Sequence, residues 1–266
     1  MFEFPSNAKT LSLVLPEFLT WCRAQQCGAG PYERLIDSLS SSASGEWADV
    51  PAGTSPNLYV TGLSSVAWWD SQAFDWQMTL EQATDDIFQE FSDSSDLVRR
   101  HQSPGSKFQG RGTWNASYIV ASGLLLPSAR QLFPRTMRRL AGVPGALSAG
   151  MTYFSSLRPS SSITPHSGFT NAHLRCHLCL SNSEGSWLRV GAESRPWELG
   201  KVFVFDDTFE HEASNDGSLT RTVLLFDIFH PMLDTFEQQG MVKLVDLFRR
   251  QHMRSTMAST LPGALT

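Results

Sequence analysis

The run HSGFTNAHLRCHLCLSNSEGSWLRVGAESRPWELGKVFVFDDTFEHEASNDGSLTRTVLLFDIFHP, residues 166–231, decides the fold. It holds five of the seven histidines and breaks into short segments of alternating polarity separated by Gly, Asn, Asp and Ser turns. Over residues 173–180 the two-residue period of a strand puts His173, Arg175, His177 and Cys179 on one face. Leu174, Cys176, Leu178 and Leu180 share the other, so a polar row faces a site and an apolar row faces packing. Residues 201–206 read as a buried strand, and residues 220–229 as another that aligns Arg221, Val223, Leu225 and Asp227. Short strands joined by tight turns predict a mainly β protein with flanking helices, closed as a barrel or sandwich, not a parallel α/β sheet.

Two histidines, His166 and His211, stand at the ends of such strands, with Arg221 ten residues after the second. Imidazole suits Fe, Zn, Cu and Ni, and two histidines with one carboxylate and open positions mark non-heme Fe(II) oxygenases. The carboxylate of that triad usually sits two residues after the first histidine. Here Gly168 occupies the place.

Several pieces together carry a family resemblance: His166-Ser167-Gly168, Leu174-Arg175-Cys176-His177, RVGAESRPWELG at 189–200, FDDTFEHE at 205–212 and His230-Pro231. LYVTGL at 58–63 and Trp68-Trp69-Asp70 extend it, so that the likeness covers residues 57–233. The chain resembles the catalytic domain of the aspartyl/asparaginyl β-hydroxylase family, Fe(II)- and 2-oxoglutarate-dependent dioxygenases with a double-stranded β-helix (jelly-roll, cupin-like) core. The resemblance implies iron held by His166 and His211 alone, with water in the third protein position, so Gly168 agrees with the family. It implies that Arg221 pairs with the distal carboxylate of 2-oxoglutarate, in a fork geometry that lysine would not reproduce. Ser155, Arg175 and His177 match the other cosubstrate contacts, and O2 completes the set of cofactors.

The substrate side departs from the members that hydroxylate Asp or Asn in proteins. His173 stands where they carry an arginine, and Ala116 where they carry a polar side chain, with Trp114 and Tyr153 beside them. The loop GLLLPSARQLFP at 123–134 lacks their cysteine pair, and their helical repeats and membrane anchor are absent from the sequence. These departures lean toward oxidation, foremost hydroxylation, of an aliphatic C–H in a small molecule, amino-acid derivative or natural-product intermediate, with release of succinate and CO2. A peptidyl Asp/Asn β-hydroxylase that recognises its substrate through residues 1–56 is the alternative. A non-catalytic binding module of the same fold is the third reading.

The rest of the chain sets the frame. A length of 266 residues with 41% hydrophobic composition allows one sizeable domain. We divide it into an N-terminal helical extension and linker (1–56), the dioxygenase-like domain (57–233) and a C-terminal helix and tail (234–266). The net charge of -5 gives no footing for nucleic acid. The first residues hold an acid and only a short apolar run before Pro16, which predicts neither a signal peptide nor a membrane span and so a cytoplasmic protein. Cys176 and Cys179 point to opposite faces of a strand and, with Cys22 and Cys27, read as reduced thiols.

Proline in the first turn predicts helices over 16–25 and 31–39, followed by a flexible Ser-rich connector at 38–45. A capping box of Thr79 and Gln82 predicts a helix over 79–98, packed on the sheet through Leu80, Ala83, Ile87, Phe88 and Phe91. Asp234 caps a last helix to about His252, whose Phe236, Leu244, Leu247 and Phe248 offer a face for packing or for a homodimer, and the tail from Ser255 frays. Arg189 and Arg195 are read as ion pairs. Asp206 and Asp207 are read as satisfying a turn or hydrogen bonds around the site.

Overall fold

Residues 8–46, 49–94, 103–104, 108–182 and 184–260 are described in the computed structural model. In chain order they form α1 (Ala8–Arg23), α2 (Glu33–Ser44), β1 (Trp68–Trp69), α3 (Gln77–Glu81), α4 (Thr84–Asp93), β2 (Ser103–Pro104), β3 (Trp114–Ala121) and β4 (Leu124–Leu125). Next come α5 (Ala129–Leu132), α6 (Pro134–Leu140), β5 (Thr152–Leu157), β6 (Ser161–His166), β7 (His173–Ser181), β8 (Ser186–Val190) and β9 (Glu193–Pro196). The chain ends in β10 (Val202–Phe205), β11 (His211–Asn215), β12 (Arg221–Phe229) and α7 (Thr235–Thr260).

From β5 onward the chain passes back and forth between two antiparallel sheets. The larger has 8 strands, in the order β1-β10-β7-β12-β5-β3-β2 with β4 paired to β3, and the smaller has 4, in the order β6-β11-β8-β9. Strands β5, β7, β10 and β12 lie in the first, and β6, β8, β9 and β11 in the second. That alternation is the double-stranded β-helix, which faces two sheets across one interior.

Strand β7 shows how the sequence divides the packing. Leu174, Cys176, Leu178 and Leu180 bury outward in a cluster with Leu80, Ala83 and Ile87, so α3 and α4 cover the outer face of the large sheet. Cys179 turns inward with Val223 and Leu225. The four cysteines are free thiols. A third cluster joins α1, α2 and α7 through Phe18, Leu35, Leu39, Leu244 and Phe248.

The helices differ from the proline and serine signals. Helix α1 begins at Ala8 and carries Pro16 inside it. Leu11, Val14, Phe18 and Cys22 bury at three- and four-residue spacing, and that tertiary packing outweighs the one hydrogen bond proline removes. The Ser-rich run at 38–44 is helical, ending at Gly45 with φ 76°. Ser38 and Ser42 bury on one face of it, where their hydroxyls accept the Thr61 and Tyr59 N–H groups, each at 3.2 Å.

The single helix expected over 79–98 is two, broken at residues 82–83, with Thr79 inside α3 and not at its cap, and residues 95–98 lie outside the described ones. Phe88 is 36% exposed, unlike its three buried neighbours on the expected face. Asp234 and Glu237 do form a reciprocal capping box, Glu237 N–H to Asp234 Oδ1 at 2.9 Å and Asp234 N–H to Glu237 Oε2 at 3.0 Å. Helix α7 runs to Thr260, past the expected end, and Phe236 is 43% exposed. Among the described residues no helix is long and apolar enough to cross a membrane.

Candidate active site

Strand β6 ends on His166 and β11 begins on His211, and the two residues are direct partners in the small sheet. Their rings lie 4.1 Å apart, centre to centre. His166 Nδ1 donates to the Thr164 carbonyl at 2.7 Å, and His211 Nδ1 donates to the Phe209 carbonyl at 3.0 Å. Only an N–H can face a carbonyl, so in the neutral form each imidazole has its lone pair on Nε2. Burial, then the nearby His166 and Arg175, push the His211 pKa well below its ordinary value, which keeps that lone pair unprotonated.

Gly168 has no room for a side chain. Its N–H donates to the Asp207 carbonyl at 2.6 Å, and a Cβ built on it would lie 2.0 Å from Asp207 Oδ1. Among the described residues no cluster of three His, Cys, Asp or Glu forms a metal-ligand set. Asp206 satisfies its turn, accepting from Thr208 N–H at 2.9 Å and from the Ser65 hydroxyl at 2.8 Å.

Two arginines project from neighbouring strands. Arg175 on β7 pairs through Nη1 with Asp207 at 2.7 Å and through Nε and Nη2 with Asp227 at 2.9 and 3.2 Å. Burial works against its charge, but the two carboxylates hold its pKa above the ordinary value. Arg175 therefore lines the cavity with its guanidinium already engaged.

Arg221 opens β12 and is 1% exposed. Its Nη1 donates to the Ser155 carbonyl at 3.2 Å, and its guanidinium lies 4.3 Å over the Trp197 ring. Among the described residues no carboxylate reaches it and its Nε has no partner. Burial pushes its pKa down to about 10. Beside it both ring nitrogens of His177 are buried without a partner. Burial, then the Arg221 and Arg175 cations, push the His177 pKa well below normal.

These groups meet in a cavity of about 40 Å³, whose walls include His166, His211, Ser155, His177, Arg175 and Arg221. Trp114 and Tyr153 also line it, and Trp114 Nε1 donates to the Ser155 hydroxyl at 3.0 Å. The other two expected substrate-side residues lie elsewhere. Ala116 sits in the inner core opposite Ser155. His173 is buried at the far end of β7 beside Phe229, where burial pushes its pKa to about 4.

The donor set answers what the cavity could hold. Two adjacent imidazoles with Nε2 left for ligation fit a metal ion that accepts imidazole. A buried guanidinium without a counter-ion, beside an imidazole with no partners, fits a carboxylate.

The model of the family described as aspartyl/asparaginyl beta-hydroxylase matches residues 80–231, over half of the chain. The chain belongs to this family. It is 35% identical over 136 residues to the human aspartate beta-hydroxylase domain-containing protein 2, a match over 49% of this chain and 37% of that protein. It is 33% identical over 134 residues to the human aspartyl/asparaginyl beta-hydroxylase, over 49% of this chain and 18% of that protein. The chain thus spans well under half the length of these curated relatives. Among solved structures, a Pseudomonas putida prolyl-4-hydroxylase is similar at 14% identity, covering 55% of this chain and 86% of that one with a TM-score of 0.39.

Within this family fold, strand and motif reasoning left three site residues unassigned. Asp227 was already on the face of Arg221 by alternation, and a carboxylate inside an otherwise apolar strand was the available signal. Trp197, the ring beneath Arg221, and Phe108, which stacks on His166 at 4.3 Å, come from irregular segments where no periodicity marks them.

Proposed function

We propose that the chain is an Fe(II)- and 2-oxoglutarate-dependent dioxygenase that hydroxylates an aliphatic C–H of a small molecule or amino-acid derivative. The observation that carries this reading is one cavity joining two histidines with Nε2 lone pairs to a buried arginine that lacks a counter-ion. His166 and His211 would hold the iron. Arg221, with Ser155 and His177, would take the 2-oxoglutarate. When bound, iron and cosubstrate supply oxidation of a C–H by O2 with release of succinate and CO2.

The chain's own residues bind, orient and exclude water. Arg221 grips a carboxylate with a planar fork that Trp197 supports from one side. Trp114 fixes the Ser155 hydroxyl, and Tyr153 closes the wall between the two arginines. The Thr164 and Phe209 carbonyls keep both imidazoles in the ligating tautomer.

The charge balance supports a substrate that is not acidic at its reacting group. Arg175 is neutralised by Asp207 and Asp227, and once Arg221 holds the cosubstrate no second uncompensated arginine lines the cavity. The name of the human aspartyl/asparaginyl beta-hydroxylase supports the second reading, an aspartyl or asparaginyl residue in a peptide.

Succinate formation with Fe(II), 2-oxoglutarate and air separates the two. We expect stimulation by uncharged or cationic amino-acid derivatives and none by Asp- or Asn-containing peptides. Stimulation by the peptides alone would replace the first reading with the second.

A further inference from the structure

The two histidines are held in different ways. His211 is buried, with its ring 5.6 Å from Phe205 in an edge contact inside the core. His166 is only half-buried and ends β6, the edge strand of the small sheet.

That edge is covered by residues 108–112. Gly110 N–H donates to the Ser162 carbonyl at 3.0 Å, and Ser162 N–H to the Arg111 carbonyl at 2.9 Å. The Phe108 carbonyl accepts the Thr164 N–H at 2.8 Å and the Thr164 hydroxyl at 3.0 Å. Thr164 in turn supplies the carbonyl that receives His166 Nδ1–H. Above this chain of bonds the Phe108 ring lies flat on the His166 imidazole, centres 4.3 Å apart and planes within 16°.

We propose that Phe108 is a positioning residue for His166, its ring fixing the plane of the imidazole so that Nε2 points to the same place as that of His211. The inference rests on the iron reading above and adds a residue to it. A hydrogen bond at Nδ1 holds one atom of the ring, and the last torsion of a histidine is otherwise broad. Contact across the ring face supplies the missing restraint. The core supplies it to His211; at the sheet edge the Phe108 ring does so.

The loop's hold on Thr164 runs through the Phe108 carbonyl, so Phe108→Ala removes the stacking ring while leaving the backbone bonds in place. The test is a Co(II) titration of the metal-free protein under argon, read by visible absorption, for wild type, Phe108→Ala, Phe108→Leu, Phe108→Trp and His166→Ala. Groups that orient a ligand are typically worth about 10- to 100-fold in metal affinity. We therefore expect about tenfold weaker binding in Phe108→Ala and Phe108→Leu, a changed Co(II) spectrum in both, and recovery in Phe108→Trp. Carbon-13 relaxation of the imidazole C–H groups in the metal-free protein should show the His166 ring, and not that of His211, gaining mobility in Phe108→Leu. Wild-type affinity, spectrum and ring order in Phe108→Leu would overturn the inference. Wild-type protein that binds Co(II) no better than His166→Ala would instead overturn the iron reading beneath it.

Discussion

Arg175 and Arg221 face one cavity from adjacent strands, the first mostly and the second fully buried, with opposite electrostatic surroundings. Arg175 is held by two aspartates; Arg221 has a carbonyl, a hydroxyl and the face of a tryptophan. The same residue type in the same layer is paired with carboxylates in one place and left without one in the other. What separates them is whether the neighbouring strand end and turn supply carboxylates. Asp227 lies directly opposite Arg175 in the pairing of β12 with β7, and Asp207 reaches it from the turn before β11.

Isosteric removal of each charge should break the comparison in opposite directions. Arg175→Met leaves Asp207 and Asp227 enclosed without their cation, and losing one partner of a buried pair costs about 3–5 kcal/mol. Chemical denaturation should show that loss, and a variant as stable as wild type would mean that the aspartates do not depend on Arg175. Arg221→Met removes a buried cation that has no carboxylate partner, so stability without ligands should hold or rise. Its affinity for 2-oxoglutarate should fall by about 2–3 kcal/mol, roughly 30- to 150-fold, as expected for charged hydrogen bonds. Calorimetry on the metal-loaded protein reads the second effect separately from the first.

Gly168→Ala sharpens the contrast at the strut. The added Cβ collides with the Asp207 carboxylate that pairs with Arg175, so overpacking should destabilise the fold by about 1–3 kcal/mol, with Arg221-dependent binding less affected. A fully stable Gly168→Ala would show that Asp207 can leave Arg175 freely.

The effect of pH is graded. Burial pushes the pKa of His173 to about 4 and that of His177 well below normal. Below pH 6.5 the unfolded chain takes up protons that these folded histidines refuse, so stability should fall as pH drops from 6.5 toward 4. The slope should be about 1.4 kcal/mol per pH unit for each histidine, in metal-free protein. A flat profile over that range would place the two imidazoles in contact with water.

How much of this was legible in the sequence depended on periodicity. Alternation in β7 and β12 located both arginines, His177 and the outer apolar row, because a strand's faces follow from its register alone. Alternation could not say that Arg175 is compensated, since Asp207 comes from a turn. It likewise placed His173 on the polar face without showing that the strand carries it past the cavity. Pro16 and the serines at 38–44 misled for the opposite reason: local propensity favoured breaks, and burial of one helix face decided otherwise. Phe108 and Trp197 sit on irregular backbone, where only the folded chain shows what they touch.

The most direct test of the account is anaerobic addition of Fe(II) and then 2-oxoglutarate, followed by the visible metal-to-ligand charge-transfer band. Wild type should give the band, and Arg221→Met should give it only at much higher 2-oxoglutarate. His211→Ala, folded by circular dichroism, should give none. A folded wild-type protein without the band, or an Arg221→Met variant that matches wild type, would contradict the claim that the uncompensated arginine and the two histidines form one cosubstrate site.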